Sequence, residues 1–300
     1  MRNRVPLVAL ALFCASAWLA LAPGAAASRW QPAASAPCEA QALVRQTVAN
    51  ELSAADADGH YMYRLTEKTP HGSSTEEVIE TASWLVAREV EKNGHPLSAD
   101  EQRKEDNQLR KLLTDPDERK KLEDDAHDSE DRTRRIVQAL PHAFIYQCAG
   151  TDTSDTGQPE IHLTFKPNPD YDPPSRDLKV LTGMEGNLLI DPTVKRLVRV
   201  EARLVRDVDF GWGIFGRLYR GGHFIVEQRA VGDARWAITT LDLHFDGRVF
   251  LFKGLHINSV TTTTDFRHIP NNVTLEHAVR LLLKEARVAS PAVATHPQPH

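Results

Sequence analysis

Apolar and polar side chains trade places residue by residue along most of this chain. That pattern restricts the fold to one built mainly on half-buried β-strands. It is clearest over 197–210. There Val198, Val200, Ala202, Leu204, Val208 and Phe210 fall on one parity, and Arg199, Glu201, Arg203, Asp207 and Asp209 on the other. A side-chain period of two puts one set on a core and the other in water. Tyr61–Leu65 alternates in the same way, and further strands are read at Phe144–Cys148, Ile161–Lys166, Phe224–Val231, Trp236–Phe245, Val249–Phe252 and Leu255–Asp265. Between 78 and 90, Val78, Ala82, Trp84, Val86 and Val90 share one parity. Asn93-Gly94, Gly232-Asp233 and Asp246-Gly247 read as hairpin turns. Strands this close in sequence pair antiparallel, because a parallel neighbour needs a longer crossover.

Three segments break the two-residue period. Pro37 to Leu52 reads as a helix, with Leu43, Val44, Val48 and Leu52 at helical spacing. Between Ser98 and Arg135, 23 of 38 residues are charged, and only Leu109, Leu112, Leu113 and Leu122 form a thin apolar stripe. Ser98 with Glu101 three residues on resembles a capping box, and Asp115-Pro116 breaks the run. The expectation is two polar helices inserted over 98–140, either a solvated face or an arm that meets a partner. Thr274 to Val288 reads as a last amphipathic helix, with a Pro-, Ala- and His-rich tail over 269–300 beyond and around it. The fold class expected is α+β, mainly antiparallel β, with an N-terminal helix and an inserted polar helical segment.

The first residues bear on the compartment. Arg2 and Arg4 precede an apolar run from Val5 to Leu21, Pro23-Gly24 ends it, and Ala25-Ala26-Ala27 offers a small-residue cleavage site. This reads as a secretory signal over 1–27, followed by a flexible linker over 28–36. An uncleaved anchor is the alternative. Export, to a periplasm-like space, then permits a disulfide between the two remaining cysteines, Cys38 and Cys148. Two buried thiols are the alternative reading.

The net charge of −5 supplies no basic field for nucleic acid, so no nucleic-acid partner is expected. Gly211-Trp212-Gly213-Ile214-Phe215-Gly216 matches a dinucleotide fingerprint literally, but Gly221-Gly222 and a strand follow where that site needs a helix. The segment instead reads as an apolar loop, either folded over the core or exposed as a binding patch. His244, His256 and His268 recur every twelve residues, yet no metal-ligand spacing accompanies them among the 13 histidines. No nucleophile, base and acid set is apparent. The expectation is therefore a non-enzyme with no cofactor and no metal. Asp191 reads as turn chemistry.

Several segments together resemble a known family. They are the Tyr61-Met62-Tyr63-Arg64 first strand, Leu163-Thr164-Phe165-Lys166-Pro167, Gly186-Asn187-Leu188-Leu189-Ile190-Asp191 and the Val198–Phe210 strand. The chain over 36–268 is similar to exported proteins related to the outer-membrane lipoprotein-sorting proteins, a group that includes the LolA/LolB-type carriers and the RseB sensor. The resemblance implies an incomplete, curved β-barrel whose helices cover a concave side, here spanning 37–268. The charged insertion at 98–140 departs from the compact carriers. The function implied is a periplasmic binding protein for a lipid, a lipoprotein or another apolar ligand. The alternative is an envelope protein–protein interaction or sensor module. Peripheral membrane contact is compatible with either. The aromatic residues expected to line a ligand site are Tyr61, Tyr63, Trp84, Phe165, Phe210, Trp212 and Phe215.

Overall fold

The computed structural model describes residues 39–57, 61–81, 84–154, 157–210, 216–232, 235–249 and 253–289. The expected signal, the linker, Cys38, the loop residues Trp212 and Phe215 and the tail beyond 289 lie outside the described residues. The fold is α+β with one large, mostly antiparallel sheet that is not closed. Its strands run in the order β4-β3-β2-β1-β13-β12-β11-β8-β7-β6-β5, so β4 and β5 are its two ends. In chain order the strands are β1 (Tyr61–Thr69), β2 (Gly72–Glu80), β3 (Leu85–Lys92), β4 (His95–Pro96), β5 (Phe144–Thr153), β6 (Pro159–Pro167), β7 (Met184–Ile190), β8 (Leu197–Leu204), β9 (Val208–Phe210), β10 (Gly216–Leu218), β11 (His223–Ala230), β12 (Trp236–Val249) and β13 (Lys253–His268). The helices are α1 (Ala40–Ala57), α2 (Ala99–Thr114), α3 (Pro116–Ala143) and α4 (Leu275–Ala289). The described residues group into two compact units, 39–57 with 129–260 and 61–128 with 261–289.

In the first unit, β12 and the run from the end of β8 through β9 alternate as their sequences require. Ala202, Leu204, Val208 and Phe210 are buried while Glu201 and Arg203 stay exposed. The core gathers Leu163, Phe165, Met184, Leu188 and Ile190 from the strands with Val44 and Val48 of α1 and Ala139 and Ala143 of α3. A 3-10 turn at Asp177–Gly183 adds Leu178, Val180 and Leu181. Helix α1 begins three residues later than expected and continues to Ala57. Its buried residues Ala40, Val44, Thr47 and Val48 recur at three- and four-residue steps.

The second unit packs α2 and α4 on the strands β1 to β3. Met62, Ile79, Trp84 and Val86 meet Leu109 of α2 and Ala278, Val279 and Leu282 of α4. The capping box at Ser98 is complete. Its side chain accepts from the Glu101 N–H, and the Glu101 carboxylate accepts from the Ser98 N–H at 3.0 Å. Asp115 divides α2 from α3, and its Oδ1 accepts from the N–H groups of Asp117 and Glu118 at 3.0 and 3.4 Å. Pro116 occupies the first helical position, where its missing N–H costs nothing. The insertion is thus two helices, as its composition implies, and the second runs three residues past Leu140.

Three expectations are corrected. Asp246-Gly247 is not a hairpin turn, because β12 runs straight through it and uses its last residues to pair with β10, Gly247 opposite Leu218. The single parity read from Val78 to Val90 spans a hairpin. Thr81 and Trp84 close that turn by a backbone bond of 3.0 Å, and Ile79 rather than Val78 stands opposite Val86. The long strand at 197–210 keeps its parity but divides into β8 and β9. Asn93-Gly94 is the turn expected, with φ of 53° and 76°, the left-handed pair that a two-residue hairpin requires.

Candidate functional site

β5 forms one end of the strand order and, among the described residues, pairs with β6 alone. From Gln147 to Thr153 every residue of it is exposed. The register shifts between Cys148 and Gly150, leaving Ala149 as the extra residue of a β-bulge. Beside this strand lies a depression of about 460 Å³ lined by Glu39, Ala40, Gln41, Ala42 and Arg45 of the α1 region and by Tyr146, Gln147 and Cys148 of β5. Its floor is fixed. Tyr146 is buried, donates to the Leu140 carbonyl at 2.9 Å, and has its phenol pushed above its ordinary range by burial. The Gln41 side-chain amide donates to the Pro141 carbonyl. Cys148 is disulfide-bonded. A row of backbone groups facing outward beside polar side chains can take up an added extended strand.

The sheet face opposite the core of the first unit is polar. Register aligns Glu185, Arg203, His223 and His244 in one row across β7, β8, β11 and β12. Glu201, Ile225 and Asp242 form the next row, and Arg199, Glu227 and Thr240 the one after. Arg203 donates to Glu185 at 3.2 and 2.6 Å, and Arg199 pairs with Glu227 and Glu201. A nitrogen of the His162 ring bonds Asn187 at 2.9 Å. Where the first row ends, the His223 and His244 rings stack with centroids 4.7 Å apart and planes 5° apart.

The aromatic residues expected to line a ligand site are divided between the two units. Phe165 and Phe210 belong to the first unit's core, where Phe165 packs 4.6 Å from the Phe144 ring. Trp84 is buried in the second unit's core. Tyr63 is buried outside that cluster, its ring 5.2 Å from Phe266, while half-buried Tyr61 meets His268 edge-on at 5.3 Å. The histidines spaced by twelve have separate neighbours: Asp242 and His223 for His244, Asp246 for His256, Tyr61 for His268. Among the described residues no three metal-binding side chains converge. Asp191 is the turn residue expected, accepting from the N–H groups of Thr193 and Val194 at 2.7 and 2.9 Å. The lining of the depression beside β5 had no signature in the sequence, because Arg45 and Gln147 lie about a hundred residues apart and neither sits in a motif.

No protein-family model matches the chain, and none of the curated proteins matches it. Among solved structures, it is similar to a DUF1329 family protein from Desulfovibrio piger, with 11% identity over 81% of this chain and 98% of that one, at a TM-score of 0.30. It is also similar to MucB in complex with MucA(peri), with 12% identity over 77% of this chain and all of that one, at a TM-score of 0.23. A Pseudomonas aeruginosa MucA/MucB complex gives 12% identity over 78% of this chain at a TM-score of 0.22. Superpositions this loose carry no inference about activity. Among the described residues no helix is long and apolar enough to cross a membrane.

Proposed function

We propose that the protein is a non-enzymatic binding module of the cell envelope, exported by its N-terminal segment, that takes an extended segment of a partner protein against β5. The edge of β5, which no other described strand covers, is the observation that carries this reading. Ten residues long and exposed from Gln147 onward, it lies beside a depression whose side chains, Glu39, Gln41, Arg45 and Gln147, are polar. Backbone pairing along such an edge supplies affinity, and flanking side chains select the partner. The polar lining favours a polypeptide over an acyl chain.

The test is site-specific photo-crosslinking in the producing cell from Gln147, with Glu201 on the polar face as control. The expected result is a protease-sensitive adduct from Gln147, absent from Glu201 and lost in Ala149→Pro. Proline at a bulge is tolerated by the strand yet blocks a neighbour. Equal adducts from both positions, or an adduct that survives Ala149→Pro in a protein that still folds, would overturn the reading. Thr151→Lys with Thr153→Lys blunts the same edge without proline and serves if the proline variant does not fold.

A second reading, an apolar ligand, is favoured by one observation. On the apolar side of β8 and β11, Val200, Phe224 and Val226 are only half-buried. Lipid retained by the native protein in mass spectrometry and lost in Val226→Asp would support it. An empty protein would remove it.

A further inference from the structure

We propose that His223 and His244 form a two-imidazole site for a borderline divalent cation of the zinc class, open on the polar face of the sheet. The two residues stand directly opposite each other on antiparallel neighbours, the arrangement that brings cross-strand side chains closest. Their rings are stacked at 4.7 Å and nearly parallel. Zinc holds imidazole nitrogen at about 2.0–2.1 Å, so two ligand nitrogens must come within about 4 Å of each other. In the stack the in-plane nitrogen lone pairs run side by side, so each ring must turn toward the other for both nitrogens to reach one ion, and both rings are half-exposed.

The surroundings suit a cation. The Asp242 carboxylate lies 2.9 Å from His244 Nδ1, which leaves Nε2 as the ligand atom and places a negative charge behind the ring. Carboxylates in that position orient a ligating imidazole. The cation nearest in the row, Arg203 opposite His223, has its guanidinium drawn onto Glu185 by two hydrogen bonds. With no third convergent protein ligand among the described residues, water completes the coordination, so the site is exchangeable rather than structural. Because the ligands come from two strands, the ion clamps β11 to β12 and stabilises the folded chain by mass action.

The test is thermal unfolding of the full chain with zinc chloride. Zinc should raise the midpoint of the wild type. His223→Asn with His244→Asn should abolish that rise, and Asp242→Asn should weaken the apparent affinity about tenfold. His277→Asn, on α4, should leave the rise intact. If the double variant does not fold, His223→Asn alone removes one of the two ligands and should abolish the rise as well. No zinc-dependent rise in the wild type at millimolar zinc, or an equal rise in a folded variant lacking His223, would overturn the site.

Discussion

Glu51, in the last turns of α1, holds Arg196 at the start of β8 through two parallel hydrogen bonds, to Nε at 3.0 Å and Nη2 at 2.9 Å. The same carboxylate accepts from the Leu197 N–H at 2.8 Å. Little of either side chain is exposed, 14% for Glu51 and 11% for Arg196. The Arg196 guanidinium also lies 5.8 Å from the Trp236 ring centroid, and Asn50 donates to the Val194 carbonyl at 3.1 Å. One residue pair thus fastens α1 to the β7–β8 turn and to β12. Removing either partner strands the other in a largely dry place. Glu51→Ala should cost about 3 kcal/mol of stability. A double-mutant cycle with Arg196→Ala should show strong coupling, the double variant losing far less than the sum. Denaturant unfolding measures all four corners.

The capping box of α2 should make part of the second unit's stability pH-dependent. Hydrogen bonds from the Ser98 hydroxyl, the Ser98 N–H and the Lys92 ammonium, in that order, lower the Glu101 carboxyl from 4.5 to about 2. A depressed carboxyl contributes stability that is present above its unfolded value and lost as pH falls through its folded value. The loss should therefore appear between pH 4.5 and about 2. It should be smaller in Ser98→Ala, which removes the hydroxyl and leaves the backbone N–H and Lys92 in place. Hydrogen exchange of the α2 amides across that range reads it directly.

Gly186 lies where β7 and β8 approach closely. A Cβ there would meet the Glu201 carbonyl oxygen at 1.9 Å and the Ala202 Cα at 2.8 Å, both backbone atoms that cannot swing aside. Gly186→Ala should destabilise by roughly 3 kcal/mol through overpacking. Chemical denaturation should show the loss. Gly94→Ala, at a turn with nothing near the added methyl, should instead cost only the strain of φ 76°.

Cys148 is disulfide-bonded, and Cys38 is the partner expected if the N-terminal segment is removed as a signal and takes Cys14 with it. Non-reducing peptide mapping of the secreted protein should find the Cys38–Cys148 peptide pair and an N-terminus at Ser28. A bridge closing a loop of about a hundred residues is worth roughly 4–5 kcal/mol in the chain-entropy account. Cys148→Ser should lower the denaturation midpoint accordingly. A mature protein carrying two free thiols would remove the pairing.

Strand parity at β8, the helical steps Leu43, Val44, Val48 and Leu52, the Ser98 cap and the Asn93-Gly94 turn are all legible in the sequence, because each is decided by neighbours within a few residues. The turn assigned to Asp246-Gly247 is not. Locally the pair has hairpin chemistry, but β10 offers Gly247 a partner strand from about thirty residues upstream, and the ladder outweighs the turn preference. The parity from Val78 to Val90 failed for a related reason, since a hairpin at Thr81–Trp84 resets which side each residue faces.

The sequence alone determined the class of the protein: alternation at period two commits a strand to one wet and one dry face, whatever it later pairs with. Only the tertiary structure decided which edge stays open, which polar residues meet and where a site can lie. The β5 edge, the Glu51–Arg196 pair and the His223–His244 stack join residues from separate elements. Hydrogen bonding and ring contact act over a few ångströms of space and take no account of distance along the chain.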